Sequence, residues 1–381
     1  MKKILSWILI ILGSIILLIY AFNLDYLLKG VRTIYLTGNN TAFISDYKYF
    51  ENREIKNSIP QPWLIHKNYN SVEESEKLKK LNEERKTKSF LVIKNDSIVF
   101  EKYYDGHKQT SLSNSFSMAK SIVTSLMGKA IMEGKIKGLD QPLSDYFEEY
   151  KEGIASELTV GDLASMSSGM KWAEKYYSVI NITSESYFTN DLRSVILGQE
   201  IIKKPGQNFR YSSGDTQLLG MVIEKATGTT LTNYLSEEFW KPMGAENSAL
   251  WQIDSEDSGM EKAYCCIAAT ARDFARFGKL YINKGKWNDK IILDSSFIEL
   301  SVNPVFDDSK YYGYGWWLYN YEGKRVFTMN GHRGQFVISF PDENIIIVRQ
   351  GDYNNKGNVN EGAGDLFQYI SEGYKIATTI E

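Results

Sequence analysis

Strand-forming sequence stands at two places far apart in this chain, and helical sequence fills the space between them. Ser89 to Tyr104 (SFLVIKNDSIVFEKYY) holds two β-rich runs joined at Asn95-Asp96, a hairpin signal. Strand character returns only in Tyr312 to Tyr319, Arg325 to Met329, Gln335 to Phe340 and Asn344 to Gln350, and a helix is predicted from Ala363 to Ile376. Between them, about 139 to 300 reads as helical segments broken by loops, such as Thr159 to Met166 and Thr216 to Thr227. Strands cannot stay unpaired in water, so the distant halves are expected to share one sheet. The expected class is α+β: an antiparallel sheet flanked by helices, drawn from about 85–116 and 305–377, with a mainly helical region at about 135–300.

A second constraint lies at the amino end. After Lys2 and Lys3, residues 4–22 (ILSWILIILGSIILLIYAF) carry no charge and as a helix would reach about 28 Å. The run is longer than a usual signal-peptide core and no small-x-small cleavage pattern follows it. The expectation is an uncleaved transmembrane anchor at 4–22 with a cytoplasmic tip at 1–3, a lipid bilayer as partner, and the rest of the chain outside the cytoplasmic membrane. Secretion after cleavage is the alternative. Residues 23–84 read as a stalk and lead-in, and 85–377 as the folded domain.

Composition narrows the function. With 44 Lys plus Arg against 47 Asp plus Glu, the net charge is −3 and no long basic run is present, which disfavours nucleic acid as a partner. The two cysteines, Cys265 and Cys266, are neighbours, read as small apolar packing rather than as a bridge that holds the fold. Three scattered histidines and no zinc-spaced set give no built-in metal. Asp352-x-Asn354 with Gly357 begins like a calcium loop, but Lys356 and Ala363 stand at ligand positions. Gly128 to Gly134 is one residue too long for a phosphate loop, and Gly313-x-Gly315 lacks a third glycine. No cofactor is expected.

The candidate chemistry begins at Ser117-x-x-Lys120, inside Ser117 to Gly134 (SMAKSIVTSLMGKAIMEG), whose apolar positions recur at helical spacing. Three residues apart on a helix, hydroxyl and amine share a face. An amine among apolar neighbours loses proton affinity, so Lys120 could take the Ser117 proton. The pattern alone is weak, because Ser45-x-x-Lys48 and Ser168-x-x-Lys171 match it too. Two further elements follow in order, Tyr211-Ser212-Ser213 and His332-Arg333-Gly334.

With these three elements, and with GLDQPLSDY (138–146), LTVGDLASMSSG (158–169), PGQNFRYSS (205–213) and AATARDFARFG (268–278) between them, the chain resembles the serine β-lactamase and penicillin-binding superfamily. The likeness runs over roughly 85–375 and is nearest to the class C β-lactamase, esterase and 6-aminohexanoate-dimer hydrolase branch. It implies that Ser117 is acylated, that Lys120 is its base partner and Tyr211 a proton relay, and that the backbone N–H groups of Ser117 and Gln335 form an oxyanion hole. It also implies that Ser213, His332, Arg333 and Gly334 meet the substrate.

Two departures bear on the substrate. Ser213 stands where many β-lactamases carry Asn, and His332 where many relatives carry the Lys that holds an antibiotic carboxylate. The expectation is therefore a serine hydrolase that cleaves a small-molecule or short-peptide amide or ester through an acyl-enzyme. A β-lactamase or D,D-peptidase acting on cell-wall peptides is the near alternative, and a catalytically silent recognition protein on the same scaffold is the alternative of another kind.

Overall fold

A computed structural model describes residues 2–22, 24–178, 180–353 and 364–380. The elements needed below are α1 (Lys2–Ala21), α2 (Tyr26–Thr33), β1 (Leu64–Ile65), β2 (Thr87–Lys94), β3 (Ser97–Tyr103), α3 (Met118–Met132), α4 (Ile182–Phe188), α5 (Ser213–Thr227), α6 (Ala271–Ile282), β4 (Trp317–Tyr321), β5 (Lys324–Gly331), β6 (Gln335–Phe340), β7 (Ile345–Gly351) and α7 (Leu366–Thr379). The seven strands form one sheet in the order β4-β5-β6-β7-β2-β3-β1. Its two halves meet where β7 pairs antiparallel with β2, Ile347 opposite Val92, so the early hairpin and the late strands do share a sheet. The short β1 runs parallel to β3 at the edge.

The hairpin closes at Asn95 and Asp96 with φ of 48° and 61°, the left-handed pair that a two-residue turn of this twist requires. Period-2 alternation then sorts the strand residues by face. Phe90, Val92, Phe336, Ile338 and Ile347 pack with Leu366, Tyr369 and Ile370 of α7. Leu91, Ile93, Val337, Ile346 and Val348 pack with Ile122 of α3 and Phe274 and Phe277 of α6. Each such buried side chain contributes about 1.5–3 kcal/mol relative to exposure, and the sheet is covered on both faces.

A second, four-stranded sheet (Asn52–Ile55, Ala249–Gln252, Ile267–Ala269, Ser113–Asn114) draws two of its strands, Ala249–Gln252 and Ile267–Ala269, from sequence expected to be mostly helical and one, Asn52–Ile55, from the expected stalk. Its strands are two to four residues long, too short to show a period. It matters for position: Ser113–Asn114 pairs with Ile267–Ala269 and delivers the chain directly to Ser117.

The amino-terminal expectation needs correction. Residues 2–21 are helical, but among the described residues no helix is long and apolar enough to cross a membrane. The transmembrane helix at 4–22, the bilayer as its partner and the membrane topology built on it are therefore withdrawn, and secretion gains no support either. Residues read as a stalk pack against the domain: Tyr26 and Ile34 are buried, and Lys29 Nζ donates to the Asp254 carbonyl at 2.8 Å.

Candidate active site

The head of α3 is set by its backbone. Phe116 takes φ of 46°, unusual for a large side chain, and turns the chain so that Ser117 caps α3. Ser115, just before it, is fastened on both sides, its N–H donating to the Ile267 carbonyl at 2.7 Å and its Oγ accepting the Ile267 N–H at 3.1 Å. One turn along α3, Lys120 Nζ lies 3.1 Å from Ser117 Oγ. It also donates to Ser213 Oγ at 3.0 Å and to the Tyr264 carbonyl at 2.8 Å.

Lys120 is only 1% exposed. Burial removes the water that would solvate an ammonium and brings its pKa down to about 8, while the negative charges of Glu174 and Asp215 pull the other way. Tyr211 sits on the far side, its ring centroid 5.1 Å from the amine and its hydroxyl hydrogen-bonded to Ser117. Burial holds that phenol well above its ordinary range, the Ser117 bond offsets this in part, and Glu174 adds to it. Tyr211 is therefore a neutral donor rather than a phenolate at ordinary pH. Its ring leans on Trp317 at 5.5 Å, so the phenol is held by packing as well as by hydrogen bonding.

The other predicted residues separate into two groups. Ser213, expected to face substrate, accepts from Lys120, and its N–H donates to the Glu174 carboxylate. His332 packs its ring 5.4 Å from Phe116 and 5.1 Å from Tyr176. Burial, helped by the Arg333 charge, lowers the His332 pKa to about 3, so the ring is neutral. Arg333 turns away, its guanidinium donating to the Asp352 carbonyl at 2.5 Å. Gly334, at φ of 79°, makes the turn into β6, and its carbonyl accepts from Arg349 at 2.8 Å.

Gln335 opens β6 and is fully buried. Its side chain donates to the Gly351 carbonyl at 2.6 Å and accepts the Gly351 N–H at 3.1 Å, which fixes the backbone at that point. At the end of β5, a Cβ on Gly331 would meet the Ser115 carbonyl oxygen at 2.2 Å, so only glycine lets the strand come this close to the head of α3. The β5–β6 corner and Ser117 are thus held together by backbone approach.

The two competing Ser-x-x-Lys matches are accounted for. Ser168 Oγ donates to Asp215 at 2.7 Å while Lys171 pairs with exposed Glu200 at 3.3 Å. Ser45 and Lys48 lie in a short 3₁₀ turn region, linked by a backbone bond of 3.3 Å. Sequence reasoning missed Glu174, Asp215 and Tyr264. Asp215 had a signal, as Ser212-x-x-Asp215 is a helix-start pattern and Ser212 Oγ accepts the Asp215 N–H at 3.3 Å. Glu174 stands in a loop with none. Cys265 and Cys266 are buried as expected but bridge each other, which was not. The calcium-like stretch from Asn354 to Ala363 lies outside the described residues.

A family model, Beta-lactamase, matches residues 76–363, which take in Ser117, Lys120, Tyr211 and the β5–β6 corner. The chain belongs to the Beta-lactamase family. Among curated relatives of this Beta-lactamase family member, the 6-aminohexanoate-dimer hydrolase of Paenarthrobacter ureafaciens is 22% identical over 290 residues, 70% of this chain and 73% of that protein. Protein flp of Staphylococcus aureus (strain NCTC 8325 / PS 47) is 26% identical over 178 residues, 44% of this chain, and the match spans only 35% of flp. A solved Bacillus anthracis structure assigned as a 6-aminohexanoate-dimer hydrolase shares the fold with a TM-score of 0.73 at 23% identity, covering 89% of this chain and 93% of that one. Family and relatives together support a serine-hydrolase type of function on a β-lactamase-like α+β fold.

Proposed function

We propose that this Beta-lactamase family protein hydrolyses a linear carboxylic ester or amide through an acyl-enzyme on Ser117. The observation that carries the reading is the meeting of one hydroxyl, one amine and one phenol: Lys120 Nζ at 3.1 Å from Ser117 Oγ, and the Tyr211 hydroxyl bonded to Ser117.

In this reading Ser117 Oγ attacks the carbonyl carbon and its proton passes to neutral Lys120. The tetrahedral oxygen gathers negative charge between the N–H groups of Ser117 and Gln335. As the intermediate collapses, the bond to the leaving group breaks, and that group takes a proton relayed by the Tyr211 hydroxyl from Lys120. Water then attacks the acyl-Ser117 ester with the same groups in reverse order, releasing the acid and free Ser117. Ser213 and the Tyr264 carbonyl orient the amine, and Glu174 with Asp215 sets how readily it gives up its proton.

The electrostatics favour a linear substrate over a β-lactam. The residue at the position of the usual cation is His332, held neutral, and the neighbouring Arg333 is engaged with Asp352. The relative from Paenarthrobacter ureafaciens, whose name is that of a 6-aminohexanoate-dimer hydrolase and not of a β-lactamase, adds weight in the same direction.

The test is hydrolysis of p-nitrophenyl acetate and of short linear amides beside nitrocefin. Turnover of the first group that is lost in Ser117→Ala and in Lys120→Ala is the expected result. Turnover unchanged in Ser117→Ala contradicts the reading, and a folded protein that turns over nothing and takes up no acyl group returns the silent recognition scaffold.

A further inference from the structure

A cavity of about 370 Å³ opens beside Ser117. Its base holds Phe116, Ser117, Ser213, Tyr264 and His332. One wall is Tyr176, Tyr177, Tyr187 and Phe188. The lining also includes Leu27, Gly30, Val31, Ile34 and Tyr35, which belong to α2 and the turn after it. That part of the lining lies outside the part of the chain matched by the family model, which begins at residue 76. It is nonetheless built in: a Cβ on Gly30 would stand 3.3 Å from the Phe188 ring, and Thr41 Oγ1 donates to the Tyr176 carbonyl at 2.9 Å.

The chemistry of this cavity is one-sided. Among the described residues lining it, Lys175 is the one that carries a charge, because His332 is neutral. Tyr211, from whose side the leaving group receives its proton, does not line the cavity and packs instead with Trp317 and Tyr312. A carbonyl held at Ser117 therefore directs its leaving group toward Tyr211 and its acyl group into the cavity.

We propose that the cavity lined by α2 and by Tyr176, Tyr177, Tyr187 and Phe188 is the acyl-binding subsite, and that it selects an uncharged, apolar acyl chain, with α2 setting the accepted length. This rests on the acyl-enzyme reading of Ser117. Burial of a methylene in such a cavity is worth about fourfold in kcat/KM, so chain length is read directly in the rate.

The experiment measures kcat/KM of the full chain on p-nitrophenyl acetate, butyrate, octanoate and hemisuccinate, with Ser117→Ala as control. The expected result is a rise of at least tenfold from acetate to octanoate and a hemisuccinate rate below that of butyrate. Val31→Trp, at a position 45% exposed, narrows the cavity and lowers the octanoate-to-acetate ratio by at least tenfold. Leu27→Trp does the same from the next turn and stands in if the first variant fails to fold. A flat or falling chain-length series, or a preference for hemisuccinate through Lys175, overturns the subsite while leaving the Ser117 reading intact. Hydrolysis that survives Ser117→Ala, or no hydrolysis of any ester, overturns both.

Discussion

Lys120 Nζ stands 3.1 Å from Ser117 Oγ in a spot from which water is excluded, so the amine beside the hydroxyl is one that gives up its proton near neutral pH. Only the neutral amine can accept the serine proton. Its pKa is lowered to about 8, so below that pH the ammonium prevails and above it the base is present. Ester kcat/KM is expected to rise with pH through an apparent pKa near 8, measured with p-nitrophenyl acetate and corrected for its spontaneous hydrolysis. A flat profile between pH 6 and 9 contradicts the role of Lys120.

Glu174 tunes that pKa from outside the motifs. Its negative charge raises the Lys120 pKa against burial, so Glu174→Gln removes a stabiliser of the ammonium and lowers the pKa further. The rising limb of the pH–rate profile should move to lower pH in Glu174→Gln while the same ester is still cleaved. A limb that stays in place, or moves up, means the carboxylate acts only by holding the Ser213 N–H.

Tyr211→Phe separates proton transfer from packing. The ring keeps its contact with Trp317, so the fold should be unchanged by circular dichroism and thermal melting. Loss of the hydroxyl should lower kcat by about 100-fold or more. An unaffected kcat removes Tyr211 from the chemistry.

Gly331 tests how the β5–β6 corner is seated. Alanine there would drive a methyl group against the Ser115 carbonyl, with its Cβ at 2.2 Å, and the strand must shift. The expected cost is about 1–3 kcal/mol of stability, typical of overpacking, in urea unfolding. Activity should fall by more than stability alone explains, because Gln335 moves with the strand. Wild-type activity in a destabilised Gly331→Ala would show that the Gln335 N–H is not needed at that distance.

Much of this was legible before any coordinates. The hairpin at Asn95-Asp96 was legible because a two-residue turn leaves a local signature, and the Ser117 helix because its apolar residues recur every turn. Ser117, Lys120 and Tyr211 could be named as candidates because their motifs are contiguous. The strands at Ala249–Gln252 and Ile267–Ala269 were not, since so few residues carry no period. Glu174 reaches Ser213 from 39 residues away along the chain, and only the fold brings them together. Arg333 read as a substrate cation because sequence cannot show that it turns to Asp352. The apolar run at 4–22 read as an anchor from its length and the missing cleavage pattern, and among the described residues no helix sustains that reading.

The account rests on Ser117 being the group that becomes acylated. The most direct measurement treats the protein with an alkyl fluorophosphonate and maps the adduct by peptide mass spectrometry, alongside Ser117→Ala and Lys120→Ala. The account predicts one adduct, on Ser117, absent from the first variant and formed far more slowly in the second. An adduct on another residue, or labelling that persists in Ser117→Ala, contradicts it.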